Sequence, residues 1–175
     1  GQGDFFISRH TYLRRIAGKT ASLFALSCYA GVALQEAEPQ KLLLCHRIGY
    51  CMGMAFQIQD DILDYAGSAS KLGKNTGNDL KCGIPTLPLL YALEQEQMDG
   101  TTVLRDLLQN LKTPLKQKTV DEALRLVDSL GGVQKARILA ESYKMRALSD
   151  IKRLAHPQVE RQLGNLFTKL SKRSV

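Results

Sequence analysis

The stretch between Pro39 and Gly67 constrains the fold more than any other part of the sequence. It contains no internal proline, and apolar or small residues surround most of the expected helix, as is typical of a helix buried inside a bundle. The pattern changes at the C-terminal end, where Asp60, Asp61 and Asp64 follow one another closely. We therefore predict a long central helix, from about Gln40 to Tyr65, whose acidic end opens into a cavity.

The three carboxylates stand where a helix least favours negative charge. The macrodipole is negative at a helix C-terminus, so each acidic group there is unfavourable by ~0.3–1 kcal/mol, and like charges also repel one another. Either a metal ion or basic side chains must offset this charge. Oxygen ligands without nearby His or Cys favour Mg²⁺ over zinc. A solvated acidic face of an amphipathic helix is the alternative interpretation at this point.

The segment after this helix is rich in glycine and lysine. Backbone N–H groups of glycines approach phosphates closely, and lysines supply point charges. A lysine-bearing surface loop without a ligand is the other interpretation. From the residues alone, we expect a loop from Gly67 to Gly83. Its charged and flexible residues are Gly67, Lys71, Gly73, Lys74, Gly77, Lys81 and Gly83.

Lys19 lies in an apolar stretch near the N-terminus that is otherwise free of charge for many residues. Lysine is rarely buried unless it is paired. Its ammonium group therefore either reaches the surface along an apolar stem or faces the same cavity and meets an anion.

The remaining sequence predicts an all-α fold, because sustained period-2 alternation is missing and apolar residues recur at helical spacing. We expect one domain over residues 1–175, with short connections that make neighbouring helices antiparallel. The further predicted helices run from about Thr11, as N-cap, to Leu34, from Pro85 to Gln97, from Thr102 to Leu111, from Asp121 to Gly131, from Val133 to Leu154, and over Leu163, Leu166 and Leu170.

Composition argues against several classes of function. The net charge is +7, but the basic residues are interspersed with acidic ones and few aromatic residues lie among them, which disfavours nucleic-acid binding. No charge-free apolar run of ~18 residues is present, so we expect no transmembrane segment, and the first ten residues do not form a signal peptide. The cysteines form no CxxC pair, which predicts free, buried thiols and a reducing, cytoplasmic location. They are Cys28, Cys45, Cys51 and Cys82.

Together these residues resemble the trans-isoprenyl diphosphate synthases, the polyprenyl synthetase family. The order and spacing are similar to the family's second aspartate-rich motif and its flanks. The matching residues are Tyr12 with Lys19-Thr20-Ala21, then Phe56-Gln57-x-x-Asp60-Asp61-x-x-Asp64, Gly73-Lys74-x-x-Gly77-x-Asp79-Leu80 and Thr86-Leu87-Pro88. The end of the chain, from Leu163 to Lys172-Arg173, is also similar to the family's C-terminus.

The resemblance implies an isoprenoid-synthase-type helical bundle and a prenyltransferase. Such an enzyme condenses an allylic diphosphate head to tail with isopentenyl diphosphate and depends on Mg²⁺. By position, Asp60, Asp61 and Asp64 would hold Mg²⁺. Lys19 and Lys74 would bind the allylic diphosphate. The supporting substrate-binding residues would be Thr20, Gln57 and Asp79, the last orienting a lysine or a metal-bound water.

The sequence departs from the family pattern in two ways. The family has two aspartate-rich motifs and basic residues for isopentenyl diphosphate, whereas here DDxxD occurs once, as the second motif. This implies the C-terminal portion of a synthase, inactive alone and completed by an N-terminal half or a homo-oligomer that covers an exposed apolar face. Ile84 replaces a lysine common in the family, which slightly favours a medium or long product. The alternative is a non-catalytic subunit of a split synthase that binds prenyl diphosphate or has a regulatory role.

Overall fold

The computed structural model describes residues 4–34, 38–66, 76–109 and 111–171. Within these ranges the chain is helical apart from turns and a single bridging residue, Lys112. The all-α prediction is confirmed. In chain order the elements are α1 (Arg9–Ile16), a π-helical turn (Ala17–Ala21), α2 (Ser22–Ala33), α3 (Pro39–Ala66), α4 (Asn78–Cys82), α5 (Leu87–Met98), α6 (Val103–Leu108), α7 (Gln117–Ser129), α8 (Gly132–Arg153) and α9 (Pro157–Ser171).

The predicted start of the first helix is wrong by three residues. Ser8, not Thr11, caps α1, because the Ser8 hydroxyl oxygen accepts the Thr11 N–H at 3.1 Å and the Ser8 carbonyl accepts the Tyr12 N–H at 3.1 Å. A serine hydroxyl satisfies an N–H of the first helical turn that otherwise has no partner within the helix. In contrast, α3 matches its predicted bounds to within one residue at each end.

The predicted loop from Gly67 to Gly83 is wrong in its second part, which contains the helix α4. Its first part, residues 67–75, lies outside the described residues, and so does the predicted ligand Lys74. The four cysteines are free as predicted, but only Cys45 is buried, whereas Cys28 and Cys51 are half-buried and Cys82 is exposed.

The chain divides into two compact units. The first unit comprises residues 1–13 and 60–138, and the second comprises residues 14–59 and 139–175. In the first unit, α5, α6 and α7 contact one another and α4 contacts α7. Its buried apolar side chains include Phe5, Tyr12, Ile62, Leu80, Leu87, Leu89, Leu104, Leu108, Val120 and Val127.

The second unit has its own apolar cluster. It consists of Ile48, Met52, Ala55, Ala147, Ile151 and Phe167. Two glycines of α3 let a neighbouring helix approach closely: a Cβ on Gly49 would lie 2.4 Å from the Phe24 carbonyl oxygen, and one on Gly53 would lie 2.6 Å from the Ala21 Cα. The small residues in α3 therefore serve helix packing in this unit.

The stretch Arg9–Ala33 is long and apolar enough to cross a membrane by length and mean hydropathy, with 17% of its most apolar window buried. It is the one such stretch among the described residues. The expectation of no transmembrane segment therefore gains no support from this criterion. Core helices of soluble proteins meet the same criterion, so the expectation stays a prediction.

Candidate active site at the acidic end of α3

The three carboxylates of α3 lie in three different environments. Asp60 is exposed, Asp64 is half-buried, and Asp61 is buried with 5% of its surface exposed. Across the described ranges, no three His, Cys, Asp or Glu side chains are grouped closely enough to ligate one metal ion. A complete protein cage for the predicted metal is therefore not present in these residues.

Asp61 is held by a residue from α1. The Tyr12 hydroxyl donates a hydrogen bond to Asp61 Oδ2, and only 1% of the Tyr12 surface is exposed. A buried carboxylate needs such a donor because burying an unpaired charge is costly. Tyr12 belongs to the sequence motif, but the pattern itself did not indicate its partner, which lies 49 residues away.

Asp64 holds the start of α4. Its Oδ1 accepts the Asn78 N–H at 3.0 Å and its Oδ2 accepts the Asp79 N–H at 2.8 Å. The Asp64 carbonyl oxygen also accepts the Gly77 N–H at 2.8 Å. The side chain of the predicted substrate-binding residue Asp79 is thereby carried on a helical turn whose backbone is attached to α3.

The negative charges of this region affect the pKa of Tyr65, a residue of α3. The buried Thr86 hydroxyl donates to the Tyr65 hydroxyl oxygen at 2.9 Å. Burial raises the pKa of Tyr65, the Thr86 hydrogen bond partly offsets this, and the charges of Asp64, Asp61 and Asp79 raise the pKa further. Sequence reasoning missed this pair, although Tyr65 directly follows Asp64 and Thr86 begins the matched Thr-Leu-Pro element.

Two predicted residues of the second unit are brought together. Thr20 Oγ1 donates to Gln57 Oε1 at 2.8 Å, which joins the π-helical turn to α3. Single π-helical turns often occur at functional sites. Lys19 lies in the same turn and is exposed, in agreement with the surface interpretation of this residue. Its predicted role beside Asp60 stays a prediction.

The donor chemistry of the acidic end fits Mg²⁺. This ion usually keeps several waters and binds through one or two carboxylates plus substrate phosphates, rather than in an all-protein cage. Asp60 is exposed, and the side chains of Asp61 and Asp64 are fixed beside it in the first unit. The exposed Asp60, next to the anchored Asp61 and Asp64, therefore suits an ion that binds together with a phosphorylated ligand.

Known proteins resemble the chain in sequence. The polyprenyl synthetase family profile matches residues 2–127. Heptaprenyl diphosphate synthase component 2 of Bacillus subtilis is 31% identical over 163 residues, covering 93% of this chain and 45% of that protein. The mitochondrial hexaprenyl pyrophosphate synthase of Saccharomyces cerevisiae is 35% identical over 141 residues, covering 81% of this chain and 28% of that protein.

Solved structures of isoprenyl synthases share the fold. A geranylgeranyl pyrophosphate synthase of Lactobacillus brevis superposes with a TM-score of 0.82 at 36% identity, over 98% of this chain and 53% of that one. A geranylgeranyl pyrophosphate synthase of Corynebacterium glutamicum, complexed with calcium and isoprenyl diphosphate, gives a TM-score of 0.81 at 34% identity, over 94% and 50% of the two chains.

The chain spans about half the length of these solved structures and less than half of the two curated relatives. Its helices nevertheless match the isoprenyl synthase bundle over nearly all of its own length. The linked motifs, the helical fold and the profile match agree, and the chain belongs to the polyprenyl synthetase family.

Proposed function

We propose that the protein serves a prenyltransferase reaction, the Mg²⁺-dependent head-to-tail condensation of an allylic diphosphate with isopentenyl diphosphate. The observation that carries this proposal is the acidic end of α3, where Asp60 is exposed while Asp61 and Asp64 are anchored. Membership of the polyprenyl synthetase family supports the same reaction.

In this proposal the acidic end of α3 holds Mg²⁺. Asp60 is the open ligand, and Asp61 and Asp64 add negative charge beside it. Bound Mg²⁺ would supply neutralisation of the diphosphate charge, without which diphosphate is a poor leaving group. The neighbouring carboxylates favour a cation at Asp60, because they make the local potential negative.

The resemblance supports diphosphate-binding roles for five residues. Lys19 and Lys74 are the proposed cationic contacts. Thr20 and Gln57 are the proposed neutral ones, and the hydrogen bond between them fixes the Gln57 carboxamide, leaving its amino group directed away from Thr20. Asp79 completes the set by orienting a lysine or a metal-bound water.

We further propose that this chain completes its site with a second component. The family has two aspartate-rich motifs, and this sequence contains one. One relative is named component 2 of a heptaprenyl diphosphate synthase. The chain alone should therefore bind an allylic diphosphate but fail to extend it. An assay with radiolabelled isopentenyl diphosphate tests this, and product formed by the chain alone would contradict it.

The proposed metal role of Asp60 is tested by Asp60→Asn in a calorimetric titration with farnesyl diphosphate. We expect Mg²⁺-dependent binding by the wild-type chain and about tenfold or greater weakening in the variant, since a ligand charge is lost. Asp99→Asn is the matched control. Asp99 is exposed at the C-terminal end of α5, whereas Thr86, the partner of Tyr65, precedes the N-terminal end. The 12 residues of α5 separate the two ends by ~18 Å.

Equal affinities of the wild-type chain and Asp60→Asn would contradict the proposed metal site. A wild-type chain that binds Mg²⁺ and farnesyl diphosphate but never forms product, even with a complementing synthase half, would favour the alternative of a non-catalytic binding subunit.

A further inference from the structure

We propose that Asp64 is a positioning residue, whose carboxylate fixes α4 and thereby Asp79. This inference rests on the proposed function, since the position of α4 matters there for diphosphate binding. Three observations support this inference: the hydrogen bonds of the Asp64 carboxylate, the conformation of Gly77 and the shortness of α4.

Both carboxylate oxygens of Asp64 are already engaged. One accepts the Asn78 N–H at 3.0 Å and the other accepts the Asp79 N–H at 2.8 Å. These distances are ordinary for charge-assisted hydrogen bonds, which are about twice as strong as neutral ones. Two backbone donors fix the plane of the carboxylate, so its orientation is set by α4.

Helix α4 needs an external cap. It has five residues, far fewer than a helix needs to be stable by itself. Its N-cap is Gly77, which has no side chain to satisfy the free N–H groups of the first turn. The Asp64 carboxylate accepts two of those N–H groups and also places negative charge at the positive end of the helix.

Gly77 cannot be replaced by a capping residue. Its φ of +77° lies in the left-handed region, and a Cβ there would lie 2.4 Å from Val120 Cγ1 on α7. Serine or aspartate at this position would therefore clash with α7. The close packing against α7 fixes the cap residue as glycine, and the capping group must come from elsewhere in the fold.

The C-terminal side of α4 is also fixed. Leu80 is fully buried, and the Lys81 carbonyl oxygen accepts the Leu115 N–H at 2.8 Å. Asp64 is thus the attachment of α4 to α3, while Leu80 and Lys81 attach α4 to the rest of the first unit. Because both attachments hold α4 in place, they also fix the position of the Asp79 side chain.

Mg²⁺ coordination demands nearly ideal octahedral geometry at short distances. The two backbone donors take up one lone pair on each Asp64 oxygen and fix the direction of the lone pairs that remain. Asp60 is exposed one turn earlier on α3, where water and phosphate oxygens can complete the coordination of an ion. Asp60 is therefore the open ligand, and Asp64 is the cap of α4.

The first test measures amide hydrogen exchange by NMR in the metal-free chain. Asp64→Asn keeps the size of the side chain, but its amide nitrogen cannot accept a hydrogen bond, so one of the two caps is lost. We expect exchange at Asn78 and Asp79 to become about tenfold faster, as follows from losing one charge-assisted hydrogen bond. Asp60→Asn is the matched control and should leave both amides unchanged.

The second test is a double-mutant cycle on farnesyl diphosphate binding in Mg²⁺. If Asp64 acts through Asp79, Asp64→Asn combined with Asp79→Asn should bind no more weakly than Asp79→Asn alone. The Mg²⁺ concentration at half-saturation should rise more in Asp60→Asn than in Asp64→Asn.

Unchanged amide exchange, additive losses in the cycle, or a larger rise of the Mg²⁺ requirement in Asp64→Asn than in Asp60→Asn would each overturn the positioning role. A wild-type chain that does not bind farnesyl diphosphate in Mg²⁺ would instead overturn the proposed function and the part of this inference that concerns binding. The exchange experiment needs no ligand, so it separates the two failures.

Discussion

Tyr12 and Asp61 illustrate how single residues support the acidic end of α3. The Tyr12 hydroxyl donates to a carboxylate that is almost completely buried. In Tyr12→Phe that carboxylate loses a donor, and hydrogen bonds to charged groups contribute ~1.5–3 kcal/mol. We expect the free energy of unfolding in urea to fall by about 2 kcal/mol.

The control for this substitution is Tyr29→Phe, which removes a hydroxyl from an exposed tyrosine of α2. Surface changes of this kind usually alter the free energy of unfolding by less than ~0.5 kcal/mol. Equal stability losses in the two variants would show that the hydrogen bond from Tyr12 to Asp61 contributes nothing specific.

At the scale of residues, the sequence identified the types of side chain but not their partners. Helical spacing placed Asp60, Asp61 and Asp64 at one helix end, as found. It could not distinguish the exposed Asp60 from the buried Asp61, because Tyr12 comes from a distant part of the chain. Partners at long sequence separation depend on tertiary packing, which periodicity does not report.

Among the helices, α3 packs closely against the preceding helical segment at Gly49 and Gly53. Gly49→Ala would place a Cβ 2.4 Å from the Phe24 carbonyl oxygen, which is backbone and cannot move aside easily. Overpacking of this kind costs ~1–3 kcal/mol. We expect the thermal midpoint and the free energy of unfolding to fall accordingly.

Gly31→Ala is the matched control, because Gly31 lies inside α2 and a Cβ there would meet no atom within 4 Å. Alanine favours a helix over glycine by up to ~1 kcal/mol, so this variant should be slightly more stable than the wild type. If Gly49→Ala were as stable as Gly31→Ala, the close packing described for α3 would be wrong.

At the scale of elements, the sequence predicted α3, α5 and α8 well, but it placed the start of α7 four residues late and missed the short α4. The bounds of α3 and α5 agree with expectation because proline and apolar periodicity mark them. Helix α4 was missed because its stability comes from the distant Asp64 rather than from its five residues. The π-helical turn carries no sequence signal that distinguishes it from an α-helix.

For the whole molecule, the exposed apolar face of α2 predicts association. Leu23 and Leu26 are 62% and 61% exposed, and with Ala30 they lie at helical spacing along one side of α2. Contiguous apolar surface of this kind usually marks an interaction site. We expect the wild-type chain to self-associate in sedimentation velocity runs as its concentration rises.

Replacing both leucines by lysine should shift the chain to the monomer, because it removes apolar area and adds repulsion. Met98→Lys is the matched control, since Met98 is an exposed apolar residue at the end of α5 in the other unit. An interaction role for this face would be refuted if the wild-type chain stayed monomeric at all concentrations and did not associate with a complementing synthase half.

The central claim is that the acidic end of α3 binds prenyl diphosphate through Mg²⁺. The most direct measurement is a calorimetric titration of the wild-type chain with farnesyl diphosphate, once in excess Mg²⁺ and once after removal of divalent ions with EDTA. We predict saturable binding in Mg²⁺ that is lost in EDTA and returns when Mg²⁺ is restored. Binding that is equally tight without divalent ions, or missing under both conditions, would contradict the claim.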